Sequence, residues 1–397
     1  MSPSPSARLN FITQVSKLTF IISGTKDISA IVGIFDISFL LHARYPVAAI
    51  NKIIIARTFI QSKLIKVFYN TSLINTENIL QVNQEDFESI ALQLFRYQYH
   101  KNPVYRQFCD ALHKDIRKVT GITKIPFLPV SFFKTHKVVT DNTAVSALIF
   151  ESSGTTGEAT SRHYVLDADI YENSLLKGFE EFYGSPAQYA ILALLPSYLD
   201  RKNASLVYMA KTLMEKSAHP DNGFYINEWA QLQGVLSKLE QAKQKVLLLG
   251  VTFALLDFAA ACPMPLNHTI VMETGGMKGR RTELIRSEVH AILKQQWQLK
   301  QVHSEYGMTE LLSQAYAMAD GIFKCTSTMR VLVRDINDPL DVQETGTGCL
   351  NVIDLANIHS CSFIATEDIG NIAPDGTFEV LGRMDNSALR GCSLMAL

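Results

Sequence analysis

Six cysteines in 397 residues, none in a C-x-x-C pair, leave no zinc knuckle and no framework for a secreted disulfide scaffold. Their scatter, at Cys109, Cys262, Cys325, Cys349, Cys361 and Cys392, suits a reducing cytoplasm. A net charge of −1 gives no global attraction to nucleic acid. No apolar run reaches the roughly 18 residues that a membrane span requires. The nearest, residues 28–41, is short and carries Asp36. No H-E-x-x-H pattern or Ser-His-Asp order suggests a zinc site or a hydrolase triad. Repeats and low-complexity tracts are also missing. What remains is an ordinary globular composition, 47% hydrophobic, long enough for one large or two moderate domains.

Charge is unevenly spread. Residues 1–75 hold eight Lys/Arg against two Asp and no Glu, so the remainder carries a net −7. The same 75 residues contain fourteen isoleucines, without a sustained period or turn punctuation. A basic, apolar start is one mark of a targeting peptide, but no h-region followed by a small-residue cleavage site stands out. Residues 1–75 therefore read as an extension of low structural value, with organised chain beginning near Asn75.

From there the pattern is regular. Asn83 is expected to cap a helix with the stripe Phe87, Ile90, Ala91, Leu94 and Phe95. A second helix should start at Asn102-Pro103. The segments SALIF, YAILALL, KVLLLG and HTIVME read as strands. Amphipathic stretches such as DADIYENSLLKGFEEF, NEWAQLQGVLSKLEQAKQ and RTELIRSEVHAILKQQW lie between them. Short apolar runs between amphipathic helices predict an α/β fold with a mostly parallel sheet, over residues 76–321. Past about residue 322 helices give way to strands, with a hairpin turn at Asp375-Gly376, so residues 322–397 form a β-rich segment.

Four loops carry the chemical signal. In FESSGTTGEATSRHYVLD, Gly157 is followed by Glu158, not Lys, which excludes a Walker A loop. Ser152, Ser153, Thr155 and Thr156 still offer hydroxyls, and Gly154 and Gly157 admit close backbone approach to an anion; a plain turn is the alternative. In VHSEYGMTELLSQAY, Tyr306-Gly307 makes a turn and Thr309-Glu310 are expected to open a helix. That pair either caps the helix or presents a phosphate ligand and a Mg²⁺ ligand. Asp368, at the end of a strand, is placed to grip a ribose or simply to make a turn. LGRMDNSALRGC brings Arg383 and Asp385 after the last strand.

In this order, S-S-G-T-T-G, Y-G-x-T-E, a strand-end Asp and G-R-x-D resemble the adenylate-forming superfamily of acyl-CoA ligases and peptide-synthetase adenylation domains. The finer texture of LLPSYLDRKNASLVYM, METGGMKGRR and GRMDNSALRGC is similar to the LuxE acyl-protein synthetase family. The resemblance covers residues 76–397. It implies that residues 152–157 hold the β- and γ-phosphates of ATP, that Thr309 bonds the α-phosphate and that Glu310 binds Mg²⁺. Tyr306, beside Gly307, would lie against adenine, while Asp368 and Arg383 would hold the ribose. Lys278, Arg280 and Arg281 either add positive charge near the nucleotide or form a solvated run before a helix.

The superfamily's G-R-x-D hinge usually leads into a small lid domain. Here the sequence ends twelve residues after Asp385, so that lid is expected to be missing. The family carries its acyl group on a cysteine near the C-terminus, and Cys392 matches that position. A thiol is a competent acyl acceptor, and Arg390 beside it would favour the thiolate. The other cysteines read as core, and His163 and His303 as structural. The resemblance thus implies an ATP- and Mg²⁺-dependent enzyme that adenylates a carboxylic acid, such as a fatty acid, then passes the acyl group to Cys392 and on to a partner protein. Two rivals stand beside it: an acyl-CoA or carrier-protein ligase with Cys392 inert, and a silent nucleotide-binding subunit that scaffolds a reductase or biosynthetic complex.

Overall fold

The computed structural model describes residues 76–113, 115–152, 160–195, 203–275 and 284–384. Its helical entry is α1 (Phe87–Lys101) and α2 (Pro103–Ala111). Asp86, not Asn83, occupies the N-cap position of α1, because Asn83 instead binds Asp86 itself, accepting its backbone N–H at 2.8 Å. Asn102 caps α2 as expected, its Oδ1 accepting from Tyr105 N at 3.0 Å with Pro103 in the first turn.

A short antiparallel pair follows, β1 (Leu148–Glu151) and β2 (Arg162–Val165). Strands and helices then alternate: α3 (Ala168–Tyr183), β3 (Ala190–Leu194), α4 (Ser205–Ser217), β4 (Gly223–Tyr225) and α5 (Trp229–Gln241). Next come β5 (Val246–Gly250), α6 (Thr252–Ala261), β6 (Thr269–Glu273) and α7 (Arg286–Trp297). Every residue of β3 and β5 is buried, which is why their sequences read as unbroken apolar runs and not as alternating ones. They pair in parallel in the spatial order β4-β3-β5-β6, and β6 pairs in parallel with β7 (His303–Tyr306). This is the α/β body that the alternation predicts.

Helices stop earlier than expected. After Trp297 the described chain contains strands only, and they extend the same sheet. The hairpin of β7 and β8 (Ala315–Ala317) turns the sheet antiparallel, and β9 (Phe323–Cys325) joins it to β13 (Phe378–Arg383). Beyond lie β12 (Phe363–Ile372), β11 (Gly346–Asp354) and β10 (Met329–Arg334). Residues 307–314 therefore bridge two paired strands, and Thr309 and Glu310 sit in a turn instead of opening a helix. The apolar residues that follow, Leu311 and Leu312, are buried. Asp368 likewise lies inside β12, not at a strand end.

Pairing of β12 with β13 shifts register between Ile369 and Gly370, a bulge immediately after Asp368. A Cβ on Gly370 would stand 2.5 Å from the Glu379 carbonyl oxygen and 2.8 Å from Leu350. Gly370→Ala is accordingly expected to destabilise the fold by about 1–3 kcal/mol through forced backbone movement. A urea midpoint unchanged from wild type would show that the two strands part freely here.

Candidate active site

Cross-strand register places Asp368 of β12 directly opposite Arg383 of β13, and Arg383 Nε stands 3.6 Å from Asp368 Oδ1. Tyr306, the last residue of β7, donates its hydroxyl to the other carboxylate oxygen, Oδ2, at 2.8 Å. Its ring meets Phe323 and Phe378 edge-on, at centroid distances of 5.9 and 5.6 Å. Three residues distant in the sequence, Tyr306, Asp368 and Arg383, are thus interlocked. Burial raises Asp368 above the ordinary carboxylate range, while Arg383 and the Tyr306 hydroxyl pull it back down.

The glycine-rich loop is anchored at its base. Ser152 donates its N–H to the Ser161 carbonyl at 3.1 Å, and Ser161 N donates to Ser152 Oγ at 2.9 Å. Ser153, Gly154, Thr155, Thr156 and Gly157 lie outside the described residues, as do Lys278, Arg280, Arg281, Asp385 and Cys392. The Ser161 side chain acts on Glu310, whose carboxyl it pulls down against the rise that burial causes. His163, two residues further along β2, places Nδ1 2.9 Å from the Thr309 carbonyl oxygen. The base of the loop and the Thr309-Glu310 turn therefore meet. Gly307 is exposed and Thr309 half-buried at this junction, whereas Glu310 is only 4% exposed, and that burial raises its carboxyl.

Two residues that carry no motif hold the turn in place. Asn357 donates Nδ2 to the Glu310 carbonyl at 2.7 Å and presents Oδ1 3.0 Å from His163 Nε2. Asp354 accepts the N–H groups of Leu312, Ser313 and Ala356 and the Ser313 hydroxyl, at 2.6 to 3.2 Å. Neither stands in a spacing that signals chemistry, so only the fold reveals them. Burial lowers His163 to about 4. Its neutral ring thus has one N–H to offer two carbonyl oxygens, and the cluster is one donor short. Expected structural roles hold for both histidines. His303, which opens β7, lies 3.2 Å from the Tyr183 hydroxyl and is likewise lowered to about 4 by burial.

A further buried acid, Glu273 at the end of β6, accepts from Thr252 Oγ1 at 2.8 Å, Gly275 N at 2.7 Å and Arg286 Nε at 3.1 Å. It lies at the start of the METGGMKGRR stretch and fixes the entry to its basic part. Beside it on the neighbouring strand, Glu305 is walled in deeply enough to be raised to about 8, by burial first and by Glu273 second. The described thiols are core groups. Burial pushes Cys109 and Cys325 up to about 12 and raises Cys262 and Cys361 as well, which makes them poor nucleophiles.

A family model described as acyl-protein synthetase, LuxE, matches residues 72–396. A Vibrio harveyi protein named long-chain-fatty-acid–luciferin-component ligase is 23% identical over 329 residues, which cover 76% of this chain and 84% of that protein. A Photorhabdus luminescens protein of the same name is 37% identical over 70 residues, 18% of this chain and 60% of its own length. Among solved structures, a 2-hydroxyisobutyryl-CoA ligase with 2-HIB-AMP and CoA in the thioesterification state aligns at a TM-score of 0.58 and 14% identity. That match covers 80% of this chain and 70% of the ligase. The open conformation of such a ligase aligns at 0.56 and 12% identity, over 75% of this chain and 74% of its own. These matches establish a shared fold with adenylate-forming ligases.

The raised Glu305 carboxyl has a consequence for stability. Between its ordinary value of 4.5 and about 8 the folded chain holds a proton that the unfolded chain has released. This contribution is therefore full below 4.5 and is lost as pH rises through about 8. Urea midpoints followed between about pH 5 and about pH 9 should fall more steeply for wild type than for Glu305→Gln. Parallel profiles would mean that Glu305 ionises as an exposed carboxylate does.

Proposed function

The chain belongs to the LuxE acyl-protein synthetase family, and from that premise we propose that it activates a carboxylic acid with ATP and hands the acyl group to a thiol. The observation that carries this reading is the meeting of the loop base at Ser152 and Ser161 with Thr309 and Glu310, on the hairpin that also presents Tyr306 to Asp368. A carboxylate is a poor acyl donor because its oxygen is a poor leaving group. In the first step an oxygen of the acid attacks the α-phosphorus of ATP and the bond to the bridging oxygen of pyrophosphate breaks. Two anions must meet, so positioned donors and cations dominate the barrier.

The residues divide this work. The hydroxyls and glycines of residues 152–157 cradle the outer phosphates, and Thr309 bonds the α-phosphate. Asp368 and Arg383 hold the ribose, with Tyr306 and Gly307 beside the base. Among the described residues no group of three His, Cys, Asp or Glu side chains forms a metal cage. A single buried carboxylate fits magnesium only when substrate phosphates complete its shell, the usual arrangement for this ion. Glu310 is the residue that would hold it there, and the bound ion would neutralise phosphate charge.

In the second step a thiolate attacks the acyl carbonyl and AMP leaves with the electron pair of the broken C–O bond. Cys392, at the position of the family's acyl-bearing cysteine, is the acceptor we assign, and a partner protein such as a reductase then receives the acyl group. The relatives are named for a long-chain fatty acid, and a fatty acid is the substrate class proposed here. No helix of the described residues is long and apolar enough to cross a membrane. The scattered free thiols support a cytoplasmic setting.

Acid-dependent exchange of pyrophosphate into ATP tests the first step alone. Glu310→Gln should lower it by about 10²–10³-fold, and an unchanged, magnesium-dependent rate would remove Glu310 from the site. Cys392→Ser should retain exchange while losing the hydroxylamine-labile acyl label on the protein. If coenzyme A receives the acyl group and the label is never seen, the chain is an acyl-CoA ligase instead. If wild type exchanges nothing, a silent scaffolding subunit is what remains.

A further inference from the structure

Asp368 does not stand on a regular strand. Cys349 of β11 pairs with Ile369 and Asn351 with Ala365, so Thr366, Glu367 and Asp368 all face Leu350 alone. A bulge of this size leaves ladder groups without their usual strand partners. On the other edge of β12 the shift between Ile369 and Gly370 follows directly. The carboxylate assigned to the ribose is therefore carried on a stretch that strand pairing holds poorly.

One long side chain from two strands away supplies the missing bonds. Arg334 ends β10, crosses β11 and reaches β12. Its Nη1 donates to the Leu350 carbonyl at 2.9 Å and to Asn351 Oδ1 at 2.7 Å, while Nη2 donates to the Thr366 carbonyl. Thr366 completes the circuit, its hydroxyl donating to the Leu350 carbonyl at 2.8 Å and accepting the Asp368 N–H at 3.1 Å. The guanidinium is thus joined to the Asp368 backbone through one carbonyl and one hydroxyl. Asn351, fully buried, turns its amide oxygen to Arg334 although Nδ2 then finds no partner among the described residues.

Carbonyl oxygens alone do not call for a full charge. Arg334 is 8% exposed and forms no ion pair with a described residue, so its cation is buried among neutral acceptors. Such burial is costly unless negative charge nearby offsets it. Burial depresses the guanidinium, and the carboxylates that support it are Asp368 and Glu367. In return, Arg334 joins Arg383 and the Tyr306 hydroxyl in pulling Asp368 down against the rise that burial causes. The two cations serve Asp368 differently. Arg383 approaches from the solvent side, its side chain 56% exposed, whereas Arg334 works from within the sheet through backbone as well as charge.

Granting the acid-activating function and the ribose assignment on which this step rests, we propose that Arg334 is the positioning residue for Asp368. Its fork, relayed by Thr366, locks the Thr366–Asp368 bulge in the shape that aims the carboxylate at the ribose hydroxyls of ATP. A carboxylate reads a diol by accepting from its hydroxyls, which requires a fixed direction as well as an ionised group. Lysine in this place keeps the charge but loses the planar fork.

Pyrophosphate exchange by the full chain with a saturating fatty acid tests this by comparing ATP with 2′-deoxy-ATP and 3′-deoxy-ATP. Wild type should prefer ATP to at least one analogue by about tenfold or more in kcat/KM, because a site built for a hydroxyl rejects the analogue lacking it. Arg334→Lys should shrink that preference severalfold, raising KM for ATP while KM for the acid stays unchanged. A role in folding alone would lower the amount of active enzyme and leave the preference intact. Thr366→Val cuts the link to the Asp368 N–H without touching the buried charge and should act in the same direction, whereas Thr366→Ser should match wild type. Where Arg334→Lys does not fold, the Thr366 pair decides. Asp368→Asn serves as the reference and should abolish the preference. A preference lost in Asp368→Asn but kept in Arg334→Lys or in Thr366→Val overturns this inference alone. A preference kept in Asp368→Asn, or missing from wild type, overturns the ribose assignment and this inference with it, as does a wild type that exchanges with no acid of any chain length.

Discussion

The amide of Asn357 is the joint on which the site is built. It lies in the turn between β11 and β12, and through one side chain it reaches the Glu310 carbonyl and the His163 ring. His163 in turn reaches Thr309, so three segments that meet nowhere in the sequence share one buried cluster. Its backbone is fixed from the far side as well, because Gln98 of α1 donates Nε2 to the Asn357 carbonyl at 2.8 Å. A buried amide with each of its groups engaged tolerates no rotation. Replacing it with an apolar side chain would strand the Glu310 carbonyl oxygen and take away the partner of His163 Nε2. The Thr309-Glu310 turn is closed by one internal bond, from Leu311 N to the Met308 carbonyl at 3.1 Å, and is otherwise held by this outside support.

Much of this was legible because the body of the fold obeys simple periodicities. Strands such as Val246–Gly250 and Thr269–Glu273 are buried on both faces and announce themselves as apolar runs between amphipathic helices. The short strands His303–Tyr306, Ala315–Ala317 and Phe323–Cys325 do not, since each is too brief to establish a period and their burial is set by partners. Thr309-Glu310 followed by Leu311-Leu312 reads locally as a helix start. Pairing of the flanking strands overrides that local preference, as tertiary context commonly does. For the site, motif residues could be named individually, but their joining through Ser161, His163 and Asn357 is a property of three dimensions. Asp354 and Asn357 were invisible because hydrogen-bonding residues that serve backbone groups need no fixed spacing from what they serve.

The two faces of the β7–β8 hairpin differ for a geometric reason. Successive side chains of a strand point to opposite faces, so Tyr306 and Glu305, adjacent in the chain, address different spaces. The Tyr306 side is closed by Asp368 and Arg383, and the other side by helix α3. Gly307, next in line, carries no side chain between them, and the Glu305 carboxyl occupies the room that one would have taken.

Electrostatics explains why this junction is both buried and acidic. Glu310, Asp368 and Glu305 are all raised by burial, and none has a compensating cation at short range comparable to the pairing of Glu273 with Arg286 at 3.1 Å. Arg383 reaches Asp368 only at 3.6 Å and is itself largely exposed. Acids held this way are costly in the free protein, and a low-dielectric setting strengthens their attraction to any cation or proton donor that arrives. Ser161 and Ser313 favour the ionised forms of Glu310 and Asp354, while the Asn357 amide serves the Glu310 backbone carbonyl whatever that side chain's charge.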